Sequence, residues 1–411
     1  MRILRGDYET KGTAELSGKN SVGLYNYANH PETGILMLSY KVHGTNFVDQ
    51  WFPHIHPELP DPLGSILRVI ADPSSDYYFS AFNSAFERYI TQFKVGITIP
   101  ASKFLDPQVG ARYLSMPASL EEVGDVLDLP ANLRKDKRGE ALIDLFSLPK
   151  TRKKKEGGGV YFNDWTSHPK EWKEFCEYGA QDVTTEEEIS RRMEILGALP
   201  LPPFERKLWV FDQRVNDRGM PVDVDFVQKA LRLALRAKKE ALDRQNKLTG
   251  LENANSQAQL LPWVRARGYL FNTLRKETVD AVLKDPETKI TPECREVLKA
   301  RREAASTSYT KLAAILRQVC PDGRLRNQFI FMGSSRCGRW SGNAVQLHNF
   351  ARPDGTFEKR KNLEDARALI YAEDYEGIKE RFKDEKTGKP GSVLLVIKNC
   401  IRTVFVAPRV A

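Results

Sequence analysis

Four carboxylates reach this chain from three distant places, and together they constrain its fold more than any other feature: Asp7 and Glu9, then Glu87, then Asp182. They sit in the strings Gly6-Asp7-Tyr8-Glu9-Thr10, Asn83-Ser84-Ala85-Phe86-Glu87 and Tyr178-Gly179-Ala180-Gln181-Asp182. Acidic residues this scattered are usually solvated surface. The local spacing suggests something narrower. Arg2 to Asp7 reads as a short strand, and because residues two apart on a strand point to one face, Asp7 and Glu9 can aim together. Residues four apart on a helix also share a face, which aligns Asn83 with Glu87 and Tyr178 with Asp182. Phe82, Phe86, Tyr89 and Ile90 make one apolar stripe, and Trp172, Phe175, Cys176 and Tyr178 part of another.

Carboxylate oxygen is the ligand type of magnesium or manganese. Two such ions stabilise both the attacking and the leaving oxygen of a phosphodiester displacement. Each piece alone also fits a plainer reading, a surface strand end for Asp7 and Glu9 and an ordinary helix face for Tyr178 and Asp182. Their order, each on the element its geometry needs, points instead to one metal cluster of the kind a metal-dependent nuclease uses.

Composition agrees with a nucleic-acid enzyme. The chain has 411 residues, a formal net charge of +9 and a pI near 9.1. That length allows two or three domains, and the basic balance favours phosphate contacts. No apolar run approaches the ~20 residues that span a bilayer. Met-Arg-Ile-Leu-Arg-Gly-Asp at the start lacks the apolar stretch of a signal peptide, so a cytoplasmic location is expected. Cys176, Cys294, Cys320, Cys337 and Cys400 lie far apart with no Cys-x-x-Cys, which argues against zinc and for reduced thiols. His54 and His56 fall in a Pro-rich stretch that reads as a mobile loop.

Along the chain, Ile35 to Val42 reads as a buried strand and Tyr77 to Ala81 as another leading into the Asn83 helix. Arg152 to Gly159 is basic and Gly-rich, a surface loop. Leu199 to Pro203 reads as a stiff linker and domain boundary. A long amphipathic helix is expected over Asp225 to Lys247, with Phe226, Ala230, Ala234, Ala237 and Ala241 at helical spacing and Gly250 as its stop. Its other face carries Arg232, Arg236, Lys238 and Lys239. Ser256 and Gln259 read as a capping box opening a further helix. Thr291 to Val319 reads as another, carrying Arg301, Arg302 and Lys311.

These strings resemble the 3′–5′ exonuclease motifs of family A DNA polymerases, the phage branch in particular. Those motifs are Asp-x-Glu, an Asn-led helix ending in an acid, and Tyr-x-x-x-Asp. Glu87 stands where many relatives have Asp, so its carboxylate reaches one methylene further. The resemblance implies that Asp7, Glu9 and Asp182 hold one magnesium or manganese ion, that Asp7 and Glu87 hold or water-bridge a second, and that Tyr178 positions the attacking water. Asn253-Ala254-Asn255-Ser256-Gln257-Ala258-Gln259-Leu260 resembles the thumb motif of that family. Phe331 to Asn349 resembles its palm-edge strand-turn-strand, with Cys337 in place of Thr and His348 in place of Gln. By that resemblance Asn83, Ser256, Arg336, Arg339, Gln346, His348 and Asn349 contact DNA, and Arg339 reaches the primer terminus.

The implied fold is α/β. It comprises a ribonuclease H-like exonuclease domain over 1–199 (a mixed sheet with flanking helices), a helical thumb over 200–320 and an incomplete palm over 321–411. Leu394 to Ala407 resembles the stretch before polymerase motif A, and no later polymerase motif follows within the 411 residues. The expectation is a split subunit. Its partners are single-stranded 3′ ends, primer–template duplex and a second polypeptide bearing the rest of palm and fingers, in the host cytoplasm if phage-encoded. A truncated or disrupted gene is the other explanation. An RNA exonuclease of the DEDD superfamily and a non-catalytic DNA-binding assembly subunit are the competing functions.

Overall fold

The computed structural model describes residues 1–134, 138–153, 157–304, 308–334, 337–385 and 387–407. It forms two compact units: Met1–Gly219 with Arg324–Leu347, and Met220–Gly323 with His348 onward.

The first unit is built on a five-stranded mixed sheet of order β3-β2-β1-β4-β5: β1 Arg2–Lys11, β2 Gly34–Lys41, β3 Asp49–Trp51, β4 Tyr77–Ser80 and β5 Phe104–Leu105. The central β1 pairs antiparallel with β2 and parallel with β4. Period-two alternation divides β1 between two faces. Leu4, Gly6 and Tyr8 are buried on one face, against a core that includes Leu38, Phe79 and Phe104. Gly6 belongs there because a Cβ would stand 2.9 Å from the Phe79 ring. Arg5, Asp7 and Glu9 occupy the other face, beside the helix Pro169–Ile195, which packs on β1 and β2. Gly179 permits that close approach, since a Cβ would lie 2.8 Å from Ser39 Oγ. The register of β1 against β2 slips between Glu9 and Thr10, where Glu9 opposes Met37 and Thr10 opposes Ile35. Such irregularities re-aim side chains at a strand.

β1, expected as a short strand, is ten residues long. The strands expected over Ile35–Val42 and Tyr77–Ala81 are β2 and β4. The Leu199–Pro203 run is not an exposed linker. Leu199 is 4% and Leu201 6% exposed, and the helix Pro203–Arg218 continues the same unit with Trp209 buried at 2%. The strand pair Phe329–Ile330 and Ser341–Gly342 belongs to this unit too, so the units cut across the division expected from the sequence.

The second unit is mostly helical. Asp223 caps the helix Val224–Thr249 by accepting the Phe226 N–H at 3.1 Å, and Gly250 ends it at φ 68°. Phe226, Ala230, Ala234, Ala237 and Ala241 are buried on one face, as their spacing predicts. Of the helix expected over Thr291–Val319, the stretches Pro292–Ala304 and Ser308–Gln318 are helical, and residues 305–307 lie outside the described residues. The capping box does not form: the Ser256 side chain makes no cap hydrogen bond, and Gln259 Oε1 instead accepts the Asn253 N–H at 3.0 Å. Asn253 lies three positions before the cap, so the glutamine side chain closes the preceding turn. The helix Val393–Cys400 covers the first part of the Leu394–Ala407 stretch. Among the described residues no helix is long and apolar enough to cross a membrane.

Candidate active site

One cavity of the first unit, about 510 Å³, gathers all five residues that the exonuclease motifs single out: Asp7 and Glu9 from β1, Glu87 from the helix Ala85–Ile90, and Tyr178 and Asp182 from Pro169–Ile195. Asn83 lines it too. Tyr27, Phe82, Phe86, Ile143 and Leu148 supply an apolar wall. Antiparallel placement of helix on strand explains the meeting. The face Tyr178, Asp182, Glu186 repeats every four residues, and the strand face Arg5, Asp7, Glu9 repeats every two. At the far end of this seam Arg5 Nη1 pairs with Glu186 Oε2 at 3.1 Å, both side chains nearly buried. Ser80 Oγ and Ser190 Oγ also donate to Glu186, at 2.5 and 2.9 Å. This pair pins the helix register that delivers Asp182.

The site is electrostatically tense. Glu87 is 2% exposed, and its Oε2 is buried without a hydrogen-bond partner. Burial first, and then the charges of Asp7, Asp106 and Glu9, push its carboxyl well above the usual carboxylate range. The Tyr178 hydroxyl is raised by burial and by the charges of Asp182, Glu9 and Asp7, and it hydrogen-bonds Asp182. It therefore stays protonated and can donate. Tyr178 stacks on Phe175 at 6.2 Å. Gly139 lies so close that a Cβ there would sit 2.2 Å from the tyrosine ring.

Among the described residues no three His, Cys, Asp or Glu side chains already converge as a metal site. The carboxylates line one cavity. Their chemistry nevertheless fits a hard cation: every candidate ligand is a carboxylate oxygen, and one of those oxygens is buried and unsatisfied.

The local geometry corrects one expectation. Asn83 is not on the Glu87 helix face. It has φ 68°, precedes the helix start at Ala85, and is exposed. Asp106 is the cause, and sequence reading passed it over. Its Oδ1 accepts the Asn83 and Gln108 N–H groups at 3.1 and 3.0 Å; its Oδ2 accepts the Ser84 N–H at 2.9 Å and Ser84 Oγ at 3.0 Å. The signal for Asp106 was Asp-Pro, an N-cap followed by proline at the first helical position.

The other expected DNA contacts lie elsewhere. Arg336 falls outside the described residues. Arg339 is exposed, and its Nε approaches Cys337 Sγ at 3.0 Å. Hydrogen bonds from Ser334 and Arg339 lower the Cys337 thiol to about 7. Next to Arg339, Trp340 Nε1 donates to Asp212 Oδ1 at 2.7 Å, which ties this string to the helix Pro203–Arg218. Gln346 is exposed in the first unit, while Ser256 and the exposed His348 and Asn349 belong to the second. Much of the basic surface of the second unit is engaged by its own chain. Arg232 pairs with Glu373, Arg236 with Glu240 and Glu376, and Arg302 with Asp280; Lys238 donates to Tyr309 Oη at 2.6 Å. His54, expected on a mobile loop, stacks on Trp165 at 3.5 Å.

No family model matches the chain. Over 407 residues it is 32% identical to the DNA polymerase of Bacillus phage SP02, an alignment covering 99% of this chain and 58% of that protein. The chain thus spans less than two thirds of the length of this curated relative. Among solved structures, the POL domain of Pol1 from M. smegmatis, in complex with DNA primer-template and dNTP, superposes with a TM-score of 0.48 at 13% identity. That superposition covers 85% of this chain and 52% of the other.

Proposed function

We propose, from its relation to a phage DNA polymerase, that this chain is the proofreading part of a phage-type family A DNA polymerase. Its activity is removal of nucleotides from single-stranded DNA 3′ ends. The observation that carries the reading is the single cavity into which β1, the Glu87 helix and the Tyr178 helix deliver Asp7, Glu9, Glu87, Tyr178 and Asp182. The mixed sheet with flanking helices supports a ribonuclease H-like fold for this unit.

In this proposal Asp7, Glu9 and Asp182 hold one magnesium or manganese ion, and Asp7 and Glu87 the other. When bound, the ions supply hydroxide at neutral pH and offset charge at the scissile phosphate. The protein's own groups do the positioning. Tyr178, held protonated and anchored by Asp182, presents its hydroxyl to the attacking water. The apolar wall formed by Phe82, Phe86, Ile143 and Leu148 stacks against bases and sugars, which selects a frayed single strand over paired ends.

Polymerisation calls for carboxylates beyond this set, carried on a further stretch of chain or a second polypeptide. Extension of a primed template by the purified 411-residue chain alone would refute that part. The exonuclease part is tested by incubating the chain with 3′-labelled single-stranded DNA, single-stranded RNA and fully paired duplex in magnesium. Release of 5′-mononucleotides from single-stranded DNA in clear preference to RNA is expected. Preference for RNA would favour the RNA-trimming alternative, and no release from any substrate would leave only a DNA-binding role.

A further inference from the structure

We propose that Asp106 is a positioning residue for Glu87, a clamp that fixes where the Glu87 helix begins and so where its carboxylate lands. This rests on the exonuclease reading of the cavity and extends it to a residue outside the motifs. The helix Ala85–Ile90 runs on as a π-helical turn over Thr91–Val95, and the whole segment is still too short to hold its own phase in isolation. Its N-cap, Ser84, makes no side-chain cap bond to the helix. What holds the start is the buried Asp106 carboxylate, which takes the backbone N–H groups of Asn83 and Ser84 and the Ser84 hydroxyl. That grip puts Asn83 at φ 68°, a left-handed conformation that asparagine tolerates better than most residues.

A slip of one residue in the helix start would rotate Glu87 by about 100° and carry its carboxylate off the cavity wall. Asp106 itself is rigidly placed. It directly follows β5, paired to β4, and it caps the next helix through the Gln108 N–H. The clamp therefore transmits the position of the sheet edge to Glu87. Burial raises the Asp106 carboxyl above its ordinary value, and the nearby Arg112 guanidinium and the hydrogen bonds from Asn83 and Ser84 oppose that rise.

The test compares Asp106→Asn and Ser84→Ala with the unmodified full chain. Asparagine keeps one acceptor for the Asn83 and Gln108 N–H groups and sets an N–H against the Ser84 N–H. Manganese binding is measured by calorimetry without DNA, beside the metal concentration that half-saturates 3′-end degradation; circular dichroism verifies folding. Asp106→Asn is expected to weaken manganese binding roughly 10- to 100-fold, the range for residues that orient a ligand. Ser84→Ala should shift it in the same direction by a smaller factor. Unchanged manganese affinity in both folded variants overturns the clamp. If Asp106→Asn does not fold, Ser84→Ala decides alone, and wild-type affinity there overturns it. An unmodified chain that neither binds manganese nor degrades 3′ ends refutes the exonuclease reading, and this proposal with it.

Discussion

At the scale of single residues, the site is defined by groups that are buried and charged at once. Glu87 shows the tension most clearly, because a carboxyl 2% exposed beside Asp7, Glu9 and Asp106 must gain a proton or a cation. Glu87→Gln replaces one by a neutral isostere. It should leave the fold intact, raise the thermal midpoint slightly, and cost at least about a hundredfold in magnesium-dependent degradation. A variant with unchanged rate would remove Glu87 from the chemistry. Gly139 offers a purely steric counterpart. Gly139→Ala would drive a methyl into the Tyr178 ring, and overpacking of this kind costs about 1–3 kcal/mol. The expected result is a lowered denaturation midpoint together with a lower rate at saturating metal. Loss of stability at full rate would mean that the Tyr178 ring moves without consequence.

At the scale of elements, the string around Trp340 is fastened by Asp212, whose carboxyl burial raises to about 6 from an unfolded 3.8. The sign follows from linkage. Between these values the folded protein holds a proton that the unfolded chain has lost. The stabilisation is therefore present below about pH 3.8 and fades as pH rises through about 6. Up to about 3 kcal/mol is at stake. Urea denaturation from pH 4 to 7 should show that decline, and Asp212→Asn should flatten it; identical slopes would contradict the assignment. Elements with a strong internal period were legible in the sequence. β2 and β4 follow from short apolar runs that read as buried strands, and the helix Val224–Thr249 from alanines at helical spacing. Positions set by tertiary partners were not. Asn83 leaves the helix because Asp106, more than twenty residues away, takes its N–H. Gln259 abandons the expected cap for the Asn253 N–H, and Leu199 and Leu201 look like a linker only until the surrounding core is seen.

At the scale of the whole molecule, the first unit takes in two stretches that sequence reading assigned elsewhere, the helix Pro203–Arg218 and residues 324–347. A fragment ending at Leu199 loses buried Leu201 and Trp209. It should melt well below a fragment ending at Gly219, since each such side chain is worth about 1.5–3 kcal/mol. Equal midpoints would show that the helix Pro203–Arg218 adds nothing to this unit. Spacing and resemblance point to the five motif residues, and the fold brings all five to one cavity. What spacing could not supply is the scaffold behind them, the Arg5–Glu186 pair and the Asp106 contacts. The most direct test of the central claim is release of mononucleotides from 3′-labelled single-stranded DNA by the intact chain and by Asp7→Ala, with and without magnesium. The account predicts release only by the unmodified chain with the metal present. Equal release by Asp7→Ala, or release that persists in chelator, would contradict it.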